Sequence, residues 1–367
     1  MHPRQSRAGC AGCRPRRSVR SKRARDVGES LVLTHGQAIC TLAAHLQATG
    51  RTRMAHEQPT RVLVIGAGAI GAFYGGMLSR AGADVSVVCR SEGAAVASRG
   101  FDIRSPLGDF VFRPSRVLRS ARDGVPAPDY LLLAVKTVRG LDRATLIRDA
   151  VGPRTVIALF GNGIGIEQEI ADAFPANELI SVLAFVAVSR TGEAAIRHHA
   201  LGSLAMGNFP DGVSAATERF AELFRRAGLQ CDTRADVTAS RWLKNLWNIA
   251  FNPISVLGGA MDTRAILAPE EGRRLVRRVM QEACAVAAAS GYPIEARVID
   301  ETIASTRAMA PYKTSMALDH ENGRAMEVEP ILGNVVHAAR RCGIETPSLD
   351  ALHALLRMVQ DRDEASR

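Results

Sequence analysis

The sequence predicts an α/β protein: a doubly wound parallel sheet followed by an all-helical C-terminal domain. Three observations predict it. A glycine-rich turn, Gly66-Ala67-Gly68-Ala69-Ile70-Gly71, sits between a β-branched run and a helical stretch. Short apolar runs then recur as far as residue 207, each closing on polar or glycine residues. From about Asp232 the apolar spacing becomes helical and stays so, with Gly291, Pro293, Pro311, Gly343 and Pro347 marking the limits.

Arg61 to Gly66 reads as a buried parallel strand, and the segment from Ala72 to Ala81 as a helix ending at Gly82. A second strand follows from Asp84 to Arg90. Strand, glycines, helix and strand in this order form the dinucleotide fingerprint of a Rossmann-type domain. In it Gly66 makes the tight turn, Gly68 lets a pyrophosphate approach the backbone, and Gly71 allows close helix–strand packing. The helix N-terminus then receives the phosphate charge. An acid at the end of the second strand would select NAD, and an arginine accommodates a 2′-phosphate. Arg90 holds that place, whereas Asp84 sits at the opposite edge of the sheet, so the cofactor expected is NADPH/NADP+.

Further strands are predicted over 129–135 and 154–160, leading into Lys136 and Asn162. Both residues lie just past the C-terminal ends of buried strands, the edge where open α/β sheets bind ligands. Each also has a plain structural reading, Lys136 as a strand cap and Asn162 as the turn residue of an Asn-Gly pair. Two more strands, over 180–188 and 203–207, flank a loop holding His198 and His199, which are read as surface residues rather than metal ligands. Helices are predicted over 240–252, 269–290, 294–309, 326–342 and 348–359.

Within the first of these helices, Lys244, Asn248 and Asn252 recur every four residues and share one face. One ammonium and two carboxamides in an otherwise apolar helix are costly to bury without partners, which points the face into a polar cavity. A stripe on a partly exposed helix is the alternative. Lysine is the side chain whose pKa falls readily on desolvation, which suits a proton donor to a developing alkoxide. Pro253 puts Asn252 at a helix end or kink, since the residue before a proline disfavours α geometry.

The ordered set resembles the ketopantoate reductase (2-dehydropantoate 2-reductase) family, over about residues 61 to 360. The matching parts are Gly66 to Gly71, Arg90, Val135-Lys136, Asn162-Gly163, Lys244-x3-Asn248-x3-Asn252-Pro253, Thr314-Ser315-Met316 and Arg324-x2-Glu327. The resemblance implies NADPH-dependent reduction of the 2-keto group of ketopantoate to pantoate, toward pantothenate and coenzyme A. It makes Lys244 the general acid and has Glu327 orient the lysine or the substrate hydroxyl. Ser315 would bind the substrate carboxylate, Asn248 and Asn252 other substrate groups, and Asn162 both ribose and substrate. Cofactor contacts are implied for Gly66, Ala67, Gly68, Ala69, Ile70, Gly71, Arg90, Lys136, Asn162 and Glu327. Two departures fall near the substrate: Phe160-Gly161 before Asn162, where the family often has Gln or His, and Met326-Glu327-Val-Glu329 in place of the commoner Thr-Glu-Ile-Asp. They leave open a paralogue acting on another branched 2-keto acid. A catalytically silent NADP-binding sensor is the reading from another class, and intact Lys244 and Glu327 argue against it.

Composition bounds the rest. The 367 residues carry a net charge of +10, but residues 1 to 53 hold eleven of the 47 basic residues and two of the 37 acidic ones. With 36 basic and 35 acidic residues beyond, the basicity belongs to a leader over 1–58 and not to a nucleic-acid-binding body. That leader fits a targeting peptide, a nucleic-acid arm or a disordered tail, and the favoured expectation is that Met54 is the true start. Behind it a cofactor domain is expected over 60–231 and a substrate domain over 232–362. Seven scattered cysteines, an isolated Cys10-x2-Cys13 among them, argue for reduced thiols, a cytoplasmic setting and no metal. No apolar run is long enough to span a membrane. The partner expected is a small-molecule 2-keto acid, with no nucleic acid and no membrane, and the chain acts as a monomer or homodimer.

Overall fold

A computed structural model of the chain describes residues 58–124 and 126–365. The basic leader, the Met54 start and the Cys10–Cys13 pair lie outside the described residues. The first half runs β1 (Arg61–Ile65), α1 (Ala69–Arg80), β2 (Asp84–Val88), α2 (Gly93–Arg99), β3 (Phe101–Arg104), β4 (Phe110–Phe112), β5 (Val117–Leu118) and β6 (Tyr130–Leu133). Then come α3 (Arg143–Ile147), β7 (Val156–Phe160), α4 (Gln168–Ala173), β8 (Leu179–Gly192), β9 (Ala195–Asn208), α5 (Ala215–Arg226) and β10 (Cys231–Thr233). All ten strands form one sheet, in which β5, β2, β1, β6, β7 and β8 are neighbours in that order and all parallel.

Because successive side chains of a strand point to opposite faces, each central strand feeds two cores. Val62 and Val64 of β1, with Ala158 and Phe160 of β7, pack against Phe73, Tyr74 and Met77 of α1 and Phe220 and Phe224 of α5. Leu63, Ile65, Ile157 and Leu159 pack on the other face against Ala144 and Ile147 of α3 and Ile170 of α4. Helices on both faces make the sheet doubly wound, as predicted.

The second half is helical: α6 (Val237–Leu257), α7 (Thr263–Leu267), α8 (Glu270–Ala289), α9 (Arg297–Ala308), α10 (Ser315–Glu321), a π-helical segment (Glu329–Gly333), α11 (Asn334–Cys342) and α12 (Pro347–Ala365). Its core is built on Trp242, Leu246, Ile249 and Phe251 of α6 and takes in Ile164 from the loop after β7. No helix among the described residues is long and apolar enough to cross a membrane.

Three expectations are corrected. The strands over 180–188 and 203–207 are parts of one antiparallel hairpin of two fourteen-residue strands, β8 and β9, and both histidines lie within β9. His199 is exposed, but His198 is 3% exposed, with its ring 4.4 Å from that of Phe73 and Nδ1 2.8 Å from Ser105 Oγ. The two point to opposite faces because they are adjacent in a strand. Second, of the end or kink expected at Asn252 the end is overturned: α6 continues past Pro253 to Leu257, so the helix predicted to stop at 252 does not, and Asn252 lies inside it. Tertiary packing overrides the local cost of the proline, which is itself buried. Third, the helix predicted over 326–342 leaves Met326 and Glu327 outside and opens with the π-helical turn. Pro330 falls in the first turn, where its missing N–H costs no helical hydrogen bond, so the helix begins there and not at Met326.

Candidate active site

The C-terminal ends of β1, β6 and β7 carry the glycine turn, Lys136 and Asn162 to one edge of the sheet. Gly66 sits at φ +95°, and a Cβ there would lie 2.8 Å from the Ala134 carbonyl carbon. A Cβ on Gly71 would lie 2.2 Å from the Gly66 carbonyl oxygen. Gly68 differs: a Cβ there meets nothing within 4 Å. Beside this open space the first turn of α1 has no side-chain cap, so its amides remain available to an anion. Ala67 is buried, and Ala69 and Ile70 form the first turn of α1.

At the end of β2, Arg90 is exposed and lines a cavity of about 330 Å³ with Ser91, Val117 and Arg119. Arg119, beyond the short β5, was not legible as a site residue because β5 carries only two residues. Arg190, near the tip of the β8–β9 hairpin, also reaches this region. Its guanidinium pairs with Glu92 at 3.0 Å and lies 3.5 Å from the Ala67 carbonyl.

Lys244 of α6 is half-buried and donates from Nζ to Asn162 Oδ1 at 2.9 Å. The Asn162 amide donates in turn to Glu327 Oε2 at 3.2 Å, and Glu327 Oε1 accepts from the Thr137 backbone N–H at 3.1 Å. Lysine and glutamate are thus joined through a carboxamide and not by a direct ion pair. Lys136 pairs with Asp319 of α10 at 2.5 Å, beside Arg324, which bonds the other oxygen of Asp319 at 3.0 Å. The Thr137 hydroxyl is buried with no hydrogen-bond partner among the described residues.

Asn248 and Asn252 extend the Lys244 face. Asn252 is fully buried, donates to Asn248 Oδ1 at 3.4 Å and accepts from the Met316 N–H at 3.3 Å. Its carboxamide therefore holds Asn248 and the first turn of α10 in place. Ser315, exposed, opens that helix directly after Thr314, whose hydroxyl caps it through the Ala317 N–H. The structure gathers Lys244, Asn162, Glu327 and Thr137 into one chain of contacts, and Asn248 and Asn252 continue the face along α6, Asn252 reaching Met316 next to Ser315. Arg90 and the glycine turn stand apart, along the sheet edge.

Electrostatics single out Lys244. Burial pulls its ammonium down to about 7 from 10.5; the charge of Arg241 pushes the same way, and Glu327 opposes both. Burial raises the Glu327 carboxyl, against the Thr137 and Asn162 hydrogen bonds. The Lys244 ammonium also stands 5.5 Å from the centre of the Phe185 ring of β8. No cluster of three or more metal-ligating side chains occurs among the described residues.

An ammonium poised to lose its proton near neutrality, at the same sheet edge as a glycine turn with room for a phosphate, suits carbonyl reduction with a dinucleotide. Comparison with known proteins agrees. Residues 62–211 match the family model described as ketopantoate reductase PanE/ApbA, and residues 236–360 match its C-terminal counterpart. The chain belongs to the ketopantoate reductase family. A 2-dehydropantoate 2-reductase of Nostoc is 30% identical over 309 residues, covering 83% of this chain and 96% of the relative. The crystal structure of 2-dehydropantoate 2-reductase from Methylococcus capsulatus is 49% identical, with a TM-score of 0.78 over 83% of this chain and 97% of that one. The Geobacter metallireducens enzyme is 33% identical, with a TM-score of 0.77 over 81% and 99%. As a family member the chain is an oxidoreductase, with the mixed α/β fold and helical C-terminal region of ketopantoate reductases.

Proposed function

We propose that the chain binds NADPH and reduces the 2-keto group of 2-dehydropantoate to a 2-hydroxy acid, with Lys244 as proton donor. The observation that carries the reading is the Lys244 ammonium, brought down to about 7 and hydrogen-bonded to Asn162 at the sheet edge of the glycine turn. The open space at Gly68 and the uncapped start of α1 fit a pyrophosphate. Arg90, joined by Arg119, suits the 2′-phosphate that distinguishes NADPH from NADH. The cofactor, when bound, supplies hydride from its nicotinamide ring.

Hydride arrival at a carbonyl carbon builds negative charge on its oxygen. Lys244 neutralises that charge and delivers the proton, a contribution on the order of 10²–10⁴ in rate. Asn162 fixes the ammonium, and Glu327, acting through Asn162, keeps the carboxamide oxygen turned toward it. Ser315, at the N-terminus of α10, takes the substrate carboxylate, and Asn248 a second polar group. Asn252 supports both from behind, and Lys136 borders the cofactor cleft. This assigns 60–231 to the cofactor and 232–362 to substrate and proton transfer. Unpaired cysteines at 89, 231, 284 and 342 support a reducing, cytoplasmic compartment.

The test is NADPH oxidation by purified protein over ketopantoate, 2-ketoisovalerate and related branched 2-keto acids, with Lys244→Ala alongside. Turnover with ketopantoate, lost in the variant while NADPH still binds, is the expected result. Preference for another acid would move the substrate assignment. Saturable NADPH binding with no oxidation of any acid would leave a cofactor-binding sensor instead.

A further inference from the structure

One buried charge lies just beneath the site and takes no part in the scheme above. Arg241, one helical turn before Lys244 on α6, is 1% exposed. Its Nη1 donates to the Gly161 carbonyl at 2.8 Å and to the Gly163 carbonyl at 3.2 Å, the two peptide oxygens on either side of Asn162. Its Nη2 donates to Ser181 Oγ of β8 at 2.6 Å. Its Nε stands 2.5 Å from Glu167 Oε1, an ion pair whose angle departs from that of a hydrogen bond. Ser181 donates to the same Glu167 oxygen at 2.7 Å, and the carboxylate is itself buried.

We propose that Arg241, with Glu167 and Ser181, is a positioning residue for Lys244: it clamps the loop on both sides of Asn162 and so sets the contact that aims the ammonium. The inference rests on the reading of Lys244 as proton donor. Lysine could not replace it in kind, because only guanidinium offers five donors in a fixed fork. Nor is stability a sufficient reason for the pair, since buried ion pairs are often matched or bettered by apolar groups of similar volume. The opposite side of the loop is held independently. Ile164 N–H donates to the Pro330 carbonyl of the π-helical segment at 2.7 Å, and Asn334 donates to the Ile164 carbonyl at 2.7 Å. Arg241 completes the enclosure from below.

The clamp has an electrostatic consequence. Lys244 faces Arg241 from its own helix, Glu327 through Asn162, and the uncharged Phe185 ring from β8. Beyond these stand Glu167 and Arg143 beside Arg241, and Lys136 and Asp319 beside Glu327. Of the buried pair it is the Arg241 charge that bears on Lys244, and it favours the neutral amine.

The test replaces both charges together, Arg241→Met with Glu167→Gln, in the full chain, so that neither is left buried alone. The chain has four lysines (Lys22, Lys136, Lys244 and Lys313), so carbon-13 labelling lets the Lys244 titration be followed directly by NMR. The double variant should raise the Lys244 midpoint, because the Arg241 charge is removed while the site stays buried, and move the basic limb of kcat with it. At a fixed pH below both midpoints kcat should fall at least tenfold, with KM and the NADPH Kd within about threefold. Arg241→Lys, which keeps the charge and loses part of the clamp, should hold the midpoint low while kcat falls at least threefold. A folded double variant with the parent's midpoint, kcat and pH limb overturns the inference. If that variant does not fold, parent-like kcat in Arg241→Lys overturns it. Should the parent turn over no 2-keto acid, the proposed function fails, and the NMR midpoints still decide the clamp.

Discussion

In the proposed reaction Lys244 concentrates the chemistry in one titration. Below about pH 7 its ammonium holds the proton that reduction would consume; above it the donor would be lost. Turnover in the reductive direction should therefore fall by up to tenfold per pH unit above about 7, while the reverse oxidation, which needs the neutral amine as base, rises. A kcat profile in both directions from pH 5.5 to 9 checks this, and parallel profiles would contradict it. Lys244→Ala should lower kcat by 10² or more and leave the NADPH Kd within about threefold. Linkage gives a second readout. Because the folded-state pKa is depressed, the unfolded chain binds the extra proton between about pH 7 and 10.5, so this group makes stability rise with pH across that window. Lys244→Met should flatten the rise in a series of denaturant midpoints.

At the scale of elements, loops at the C-terminal ends of strands hold reactive groups only because something grips each loop. Gly163 shows how tightly. It sits at φ +90°, and a Cβ would lie 2.1 Å from the Pro330 carbonyl oxygen. Gly163→Ala should cost about 2 kcal/mol or more by combining backbone strain with a steric clash. It should also lower kcat more than it weakens NADPH binding, because the displaced loop carries Asn162. Chemical denaturation and steady-state kinetics on one variant separate the two effects. Gly71→Ala acts on the other ligand: pushing α1 off the Gly66 carbonyl should raise the NADPH Kd at least tenfold by titration. The π-helical turn belongs to the same logic. It presents the Pro330 carbonyl to the loop after β7, while Asn245 of α6 donates to the Ile331 carbonyl at 2.9 Å.

Across the whole molecule, contacts from the sheet edge to the helical half run through the site itself. Lys136 reaches Asp319, Thr137 and Asn162 reach Glu327, and Asn334 reaches Ile164. A ligand bound along this edge stabilises the folded chain by mass action. NADPH at a hundred times its Kd should add about 2.7 kcal/mol, measurable as a rise in Tm. Arg90→Asp should erase most of that rise for NADPH at the same concentration and little of the rise for NADH. Equal losses for the two would remove the 2′-phosphate role. Fold class and the order of the halves were legible because each rests on local signals: apolar runs of strand length, a glycine turn where side chains do not fit, and helical spacing bounded by Gly and Pro.

By itself the sequence determined the two-part architecture, the glycine turn and the alignment of Lys244, Asn248 and Asn252. These follow from periodicity and from steric rules that act within a few residues. Tertiary structure decided which distant groups meet that face. Asn162 comes between Lys244 and Glu327 from 82 residues away on one side and 165 on the other. Arg241 and Glu167 find each other only when α6 crosses the loop leading into α4. Likewise, burial of His198 and continuation of α6 through Pro253 depend on what packs against them. Local spacing carries no information about that, because the free energy involved is released only when segments distant in sequence pack together.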